Sequence, residues 1–277
     1  MARDPSSRTR APSVHPTAHV HPAARLADGV SIGPYAVVEA DVVIGAGTLV
    51  GPHSVLHDGV TLGCDNRLAA HVVLGGRPQD RAYRGERTRV SIGDENVFSE
   101  FASVDRATGE GGETTIGNGT YIMSCVKVSH NCRIGDGVVV VSGSQIAGRV
   151  QIDEHAFIGG VSGVHQFVHV GRLVMVAGLS GVRQDVPPYL MVAGFSARAI
   201  GLNTVGLKRA GVAPADRLAL RRVFKLFFQS GLSLEAAVRA AEEPTEASEP
   251  VQQFLTFVRA SRERKRGMVR WQPETAS

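Results

Sequence analysis

From Ile116 to Val182 every sixth residue is aliphatic, beginning Ile116, Ile122, Val128 and Ile134, with no slip of register. An α-helix repeats near 3.6 residues and a strand near 2, so a period of six fits neither alone. Short fixed periods belong to solenoids, and hexads to a parallel β-helix. Each hexad makes a short strand with its aliphatic residue pointing inward. The following position is often glycine (Gly117, Gly135, Gly159, Gly171), which this reading assigns to the corner. The fourth position after is small or β-branched (Thr120, Val126, Cys132, Ser144). Three hexads close one triangular coil of 18 residues.

The register extends back to Val14, and among the in-phase positions only Asp80, Glu86 and Glu110 are not apolar. These fall in two stretches, 75–88 and 105–114, which read as excursions from the coil. The first holds four arginines, and its Asp80 and Tyr83 are candidate binding groups, because long loops on a rigid scaffold often carry function. The second is Gly-rich. It lacks the strand-before, helix-after setting of a phosphate-binding loop, so that motif is excluded.

Composition suits a narrow aliphatic core, being 43% apolar but only 5% aromatic. Cys64, Cys125 and Cys132 are an odd, unclustered set that suggests neither a disulfide framework nor a zinc site, and a reducing compartment is expected. Cys132 takes a fourth-position slot, where a buried, inert thiol is expected. Residues 1–13 are polar and basic without an apolar core, and no run of 18 apolar residues occurs, so a cytoplasmic protein with no transmembrane segment is expected. The net charge is +4, and from Arg183 onward 15 Lys and Arg face 9 Asp and Glu. Such a basic end suits an acidic partner. Nucleic acid is not expected, since the basic residues are not interleaved with aromatics.

Spacing becomes geometry in the uninterrupted run. Residues 18 apart lie on neighbouring coils, about 4.8 Å apart. His130 therefore lies under Gly148 and Gly148 under Gln166, with His165 on the same edge some 10 Å above His130. Histidine is the usual general base near neutral pH, and a glycine N–H can stabilise an oxyanion. No acidic orienter stands next to His130; Asn131 follows it. The histidines at 15, 19, 21, 53, 57 and 71 show no repeated pairing and read as surface residues.

Pro187–Pro188 should end the strands. Beyond them Leu220, Val223, Phe224 and Phe227 make a helical face, with Pro214 at its start and Gly231 as its stop. Two further helices are expected over 234–243 and 251–264, packed as a cap on the open coil, followed by a mobile end. The expected organisation is a disordered tail (1–13), a β-helix (14–186) and a helical C-terminal domain (187–277).

The runs SHNCRIG, IAGRVQID, IGGVSGVHQFVHVG, SGVRQDVPPY and GLNTVGLKRAG resemble the acyl-carrier-protein-dependent UDP-N-acetylglucosamine O-acyltransferases of lipid A biosynthesis, over residues 14–266. The resemblance implies a mainly β fold, a left-handed parallel β-helix with a small α-helical C-terminal domain, assembled as a homotrimer. It implies transfer of an (R)-3-hydroxyacyl group from acyl carrier protein to the sugar 3-hydroxyl of the UDP-sugar. No cofactor is implied beyond the phosphopantetheine thioester, and no metal. His130 falls on the general base and Gly148 on the oxyanion donor. Gln79, Asp80, His165, Gln166, Asn203 and Arg209 fall on substrate-binding positions, and Gly178 where side-chain bulk limits acyl length. The chain departs from the family pattern at Ala82, in place of Lys, and at Asp105, Lys127, Arg149 and Ser196, in place of His. Asn131 replaces an Asp. An amino-sugar acceptor, an acetyl-CoA donor, a zinc hydratase using His165 and His169, and a non-catalytic paralogue are the rival readings.

Overall fold

The computed structural model describes residues 11–242 and 248–271. The expected disordered tail at 1–10 and the last six residues lie outside them. Ser13 and Val14 already pair with Ser31 and Ile32, so the first strand begins one residue before the boundary expected.

Most strands are two residues long, and they stack into three sheets of eleven, nine and eight strands among the described residues, parallel except for the last strand of the first. Successive strands in the chain visit the three sheets in turn, giving a left-handed parallel β-helix with a triangular section. The in-phase aliphatic residues fill the interior: Leu56, Leu74, Ile122, Ile146 and Val176 have no measurable exposure. From Ser13 to Val182 partners along a sheet are 18 residues apart, as in Lys127↔Gln145, except where an excursion intervenes. There the spacing becomes 30 (Leu68↔Phe98) and then 24 (Phe98↔Ile122). Both are multiples of six, so each excursion inserts whole hexads and leaves every later side chain facing the same way.

The corner chemistry differs from the sequence reading. The glycine after each aliphatic residue is there for close stacking: a Cβ on Gly45 would stand 2.4 Å from the Gly63 carbonyl carbon, and one on Gly159 2.5 Å from the Gly178 nitrogen. The left-handed turn falls two residues later, at Tyr35, His53, His71, Phe101, Asn131 and Arg149, all with φ near +60°. That region disfavours L side chains, so each such corner is held by the coils around it. Four of these corners form a stacked column, Tyr35–His53–His71–Phe101, with ring centroids 4.9–5.1 Å apart. His53 and His71 are thus paired, against the expectation of unrelated surface histidines.

The fourth-position residues line the interior with hydrogen bonds. Thr48, Ser54, Ser144 and Ser162 donate their hydroxyls to carbonyls of the next coil at 3.0–3.1 Å, which satisfies groups that burial would otherwise leave unpaired. Cys132 shares this slot. It is fully buried, its thiol faces the Ala147 carbonyl, and burial pushes its pKa up to about 12.

Pro187–Pro188 ends the third sheet only. Val186 still bridges Val170, and the prolines, lacking N–H donors, pack over Gly171. The first sheet continues with Leu190–Ala193, parallel to Met175–Val176, and closes with the antiparallel strand Arg198–Leu202. The helical part therefore starts at α1 (Thr204–Arg209), followed by α2 (Pro214–Phe228), α3 (Leu234–Glu242) and α4 (Glu249–Ser261). Leu220, Val223, Phe224, Phe254, Leu255 and Val258 join the hydrophobic core that runs on from the coil.

The segment after α4 was expected to be mobile, and through Trp271 it is docked. Asp185 donates its N–H to Gly267 and accepts from Val269, Ala199 donates to the Arg270 carbonyl, and Trp271 packs edge-on against Phe224. Val269 is 2% exposed. The apolar run Met268–Val269, between basic residues, explains the docking: burying it outweighs the freedom of the charged residues around it.

Candidate active site

His130 leaves the second sheet at the corner after strand Lys127–Val128. The corner residue Asn131, at φ +58°, folds its amide back so that Oδ1 lies 2.9 Å from Nδ1 of His130. The same Oδ1 accepts the Thr108 N–H at 3.0 Å, and Nδ2 donates to the Thr108 carbonyl at 3.1 Å. Those two bonds fix which end of the amide faces the imidazole. Nδ1 must then carry the proton, and Nε2 presents its lone pair. Asn131 thus supplies the orienting acceptor that the sequence seemed to lack, and Thr108 of the second excursion holds it. Neither role had a sequence signal, because Thr108 and Asn131 meet only through the fold.

Nε2 lies against Gly148. A Cβ there would stand 2.4 Å from Nε2, so no other residue admits this imidazole placement. The Gly148 carbonyl accepts from Phe167, while its N–H donates to no other group among the described residues. Stacking one coil apart, read from the 18-residue period, holds for this pair. On the open side of the ring, Asp80 of the first excursion places Oδ2 3.8 Å from Nε2. Its other oxygen accepts the Ala82 N–H at 2.9 Å. That backbone bond is the main cause holding the Asp80 carboxyl below its ordinary range; burial, next in size, opposes it, while Thr108 and the charges of His130 and Arg149 add to the lowering. Ala82, which lacks the family's side chain, still serves by its amide.

Beneath this group Lys127 forms an ion pair with Asp105, whose carboxylate is almost wholly buried. Burial raises the Asp105 pKa, while the Lys127 hydrogen bond and charge, the Gln79 amide and the His130 charge oppose it. A cleft of about 640 Å³, lined by Asn131, Arg133 and Arg149, adjoins the site, and another of about 650 Å³ lies along the first excursion, lined by Arg77, Tyr83, Arg84 and Arg106.

The remaining candidates are dispersed. His165 and Gln166 are exposed two coils above His130, with the Gln166 carbonyl accepting from Arg266 at 2.8 Å. Gly178 lies on a different corner, against Gly160. Asn203 caps α1, accepting from the Gly206 N–H at 2.9 Å and donating to the Leu173 carbonyl at 2.8 Å. Arg209 is exposed at the end of that helix. Among the described residues no hydrogen bond or ion pair joins these last three to His130 within one chain.

A second histidine cluster went unread in the sequence. His169 is 7% exposed, with Asp153 2.7 Å from Nε2, Arg264 on Nδ1 and the Phe257 ring against it. Both of its ring nitrogens are engaged, which leaves none for the zinc reading. Among the described residues no three His, Cys, Asp or Glu converge as a metal site. No helix among them is long and apolar enough to cross a membrane.

The chain is similar to proteins of known family over nearly its full length. Residues 185–269 match the family described as UDP N-acetylglucosamine O-acyltransferase, domain 2, and residues 113–148 the bacterial transferase hexapeptide. The acyl-[acyl-carrier-protein]–UDP-N-acetylglucosamine O-acyltransferase of Paraburkholderia xenovorans is 44% identical over 93% of this chain and 99% of its own. That of Stenotrophomonas maltophilia is 41% identical over 90% and 95%. The crystal structure of Francisella novicida UDP-N-acetylglucosamine acyltransferase superposes with a TM-score of 0.89 at 34% identity, covering 95% of this chain and 96% of that one. Fold and similarity over nearly the full length agree, and the chain belongs to the acyl-[acyl-carrier-protein]–UDP-N-acetylglucosamine O-acyltransferases.

Proposed function

We propose that this chain transfers an (R)-3-hydroxyacyl group from acyl carrier protein to the 3-hydroxyl of UDP-N-acetylglucosamine, the first step of lipid A synthesis. The observation that carries the reading is the imidazole of His130 lying on a side-chain-free Gly148 whose N–H is uncommitted. Nε2 takes the proton of the sugar hydroxyl as its oxygen attacks the thioester carbonyl. The negative oxygen of the tetrahedral intermediate accepts the Gly148 N–H. Collapse breaks the C–S bond, and the departing thiolate takes the proton back from His130. Asp80, opposite Nε2, binds a neighbouring sugar hydroxyl.

His165 and Gln166 lie on the edge of the prism that carries His130, and Gln79 sits beside Asp80, while Gly178, Asn203 and Arg209 lie elsewhere in the chain. A homotrimer with sites between subunits brings the latter set to a neighbour's His130. The basic C-terminal helices suit an acidic carrier protein.

The test is product mass spectrometry with acyl-carrier-protein thioesters of several lengths, acetyl-CoA, and hydroxyl or amine forms of the acceptor sugar. His130→Ala should lower kcat by about 10²–10⁴-fold while the thermal midpoint stays put. Near wild-type turnover by that variant would remove His130 as the base.

A further inference from the structure

The ion pair between Lys127 and Asp105 is the least expected feature of the site. Buried pairs add little net stability, since desolvating both charges offsets their attraction. The Lys127 side chain is 21% exposed and that of Asp105 4%, and Asp105 Oδ2 is buried with no hydrogen-bond partner among the described residues. A plug for the wall of a solenoid would be served as well by two apolar side chains.

Its position suggests another role. Asp105 ends strand Ser103–Asp105 and lies opposite Gly76, where the ladder slips between Leu74 and Gly76 and the first excursion departs. Arg106, next in the chain, donates its N–H to the Gly76 carbonyl at 3.0 Å. The amide of Gln79, immediately before Asp80, faces the Asp105 carboxylate. Lys127 stands one coil above, in register with Ser103, on the same strand that delivers His130 three residues later. The pair therefore joins three segments at one point: the root of the first excursion, the start of the second, and the strand carrying the base.

We propose that Asp105 and Lys127 are positioning residues for acyl transfer, an ion pair that fixes the first excursion against the wall so that Asp80 stays opposite Nε2 of His130. Neither touches the reacting atoms. Lys127 opposes the effect of burial on Asp105, and the Asp105 carboxylate faces the Gln79 amide at the root of the loop. The sugar hydroxyls are then presented to a carboxylate and an imidazole whose separation is set by the prism and not by a free loop.

This inference rests on the acyl-transfer reading, and the experiment separates the two. Wild type and His130→Ala are first assayed for transfer, which decides that reading by itself. The double variant Asp105→Leu/Lys127→Met then replaces the pair by apolar groups, so that neither charge is left buried alone. It should melt at or above the wild-type temperature. Its kcat should fall by about 10²-fold, as expected when reacting groups lose alignment, and Lys127→Arg should recover most of it. Hydrogen exchange at the Gln79 and Asp80 amides should quicken by about tenfold, with exchange along the 133–158 coils unchanged. Exchange needs no turnover, so it decides the anchoring even if wild type proves inactive. Wild-type kcat or wild-type exchange in the double variant overturns the proposal.

Discussion

The orientation of His130 depends on a neutral neighbour. Asn131 cannot stabilise an imidazolium by charge, yet its amide, clamped by Thr108, decides which nitrogen faces Gly148 and Asp80. Asn131→Gly removes the amide and suits the positive φ, so folding should be spared while kcat drops by about 10–100-fold; steady-state kinetics beside a melting curve would show both. Gly148→Ala should be more harmful. Its Cβ would overlap Nε2, forcing the imidazole away and costing about 1–3 kcal/mol in stability, read by denaturant titration. Thiol chemistry offers a check on the coil itself. Cys125 is exposed, while Cys132 is buried with its pKa pushed up to about 12. At pH 8 a thiol reagent should label Cys125 quickly and Cys132 only on unfolding, as peptide mapping would reveal.

The excursions and the C-terminal strap show how added segments serve a repeat without disturbing it. Whole-hexad insertions keep the interior in phase, so the two excursions can vary in sequence while their roots stay fixed by pairing such as Leu74↔Val104 and Ile92↔Ile116. Both converge on His130, one through Asp80 and the other through Thr108. The strap, by contrast, adds backbone bonds to the last coil and carries Lys265 and Arg266 over Phe167, next to Gln166. Val269 anchors it. Val269→Asp should lower stability by about 2–3 kcal/mol through lost burial and speed amide exchange over 264–271, leaving the coils from 31 to 158 unaffected.

One prism brings His130 and Gly148 together but leaves Arg209 and Asn203 at α1, unconnected to them. Mixed assembly tests whether copies share sites. His130→Ala and Arg209→Ala chains, each inactive alone, should regain measurable transfer when unfolded and refolded together, because some boundaries then combine both intact halves. Activity that stays absent in the mixture places the complete site within one chain.

The hexad period by itself determined the solenoid, its inward faces and the meeting of His130 with Gly148, because a coil of 18 residues turns spacing into distance. It also marked both excursions, since Asp80, Glu86 and Glu110 break an otherwise apolar register. The positive-φ corners, the stacked Tyr35–Phe101 column and the docked strap had no comparable signal, as each depends on what the neighbouring coil offers. Only the tertiary structure decided the surroundings of His130. Asp80, Thr108, Asp105 and Lys127 come from separate segments that no periodicity links, and their meeting is a property of where two loops fold back onto one wall.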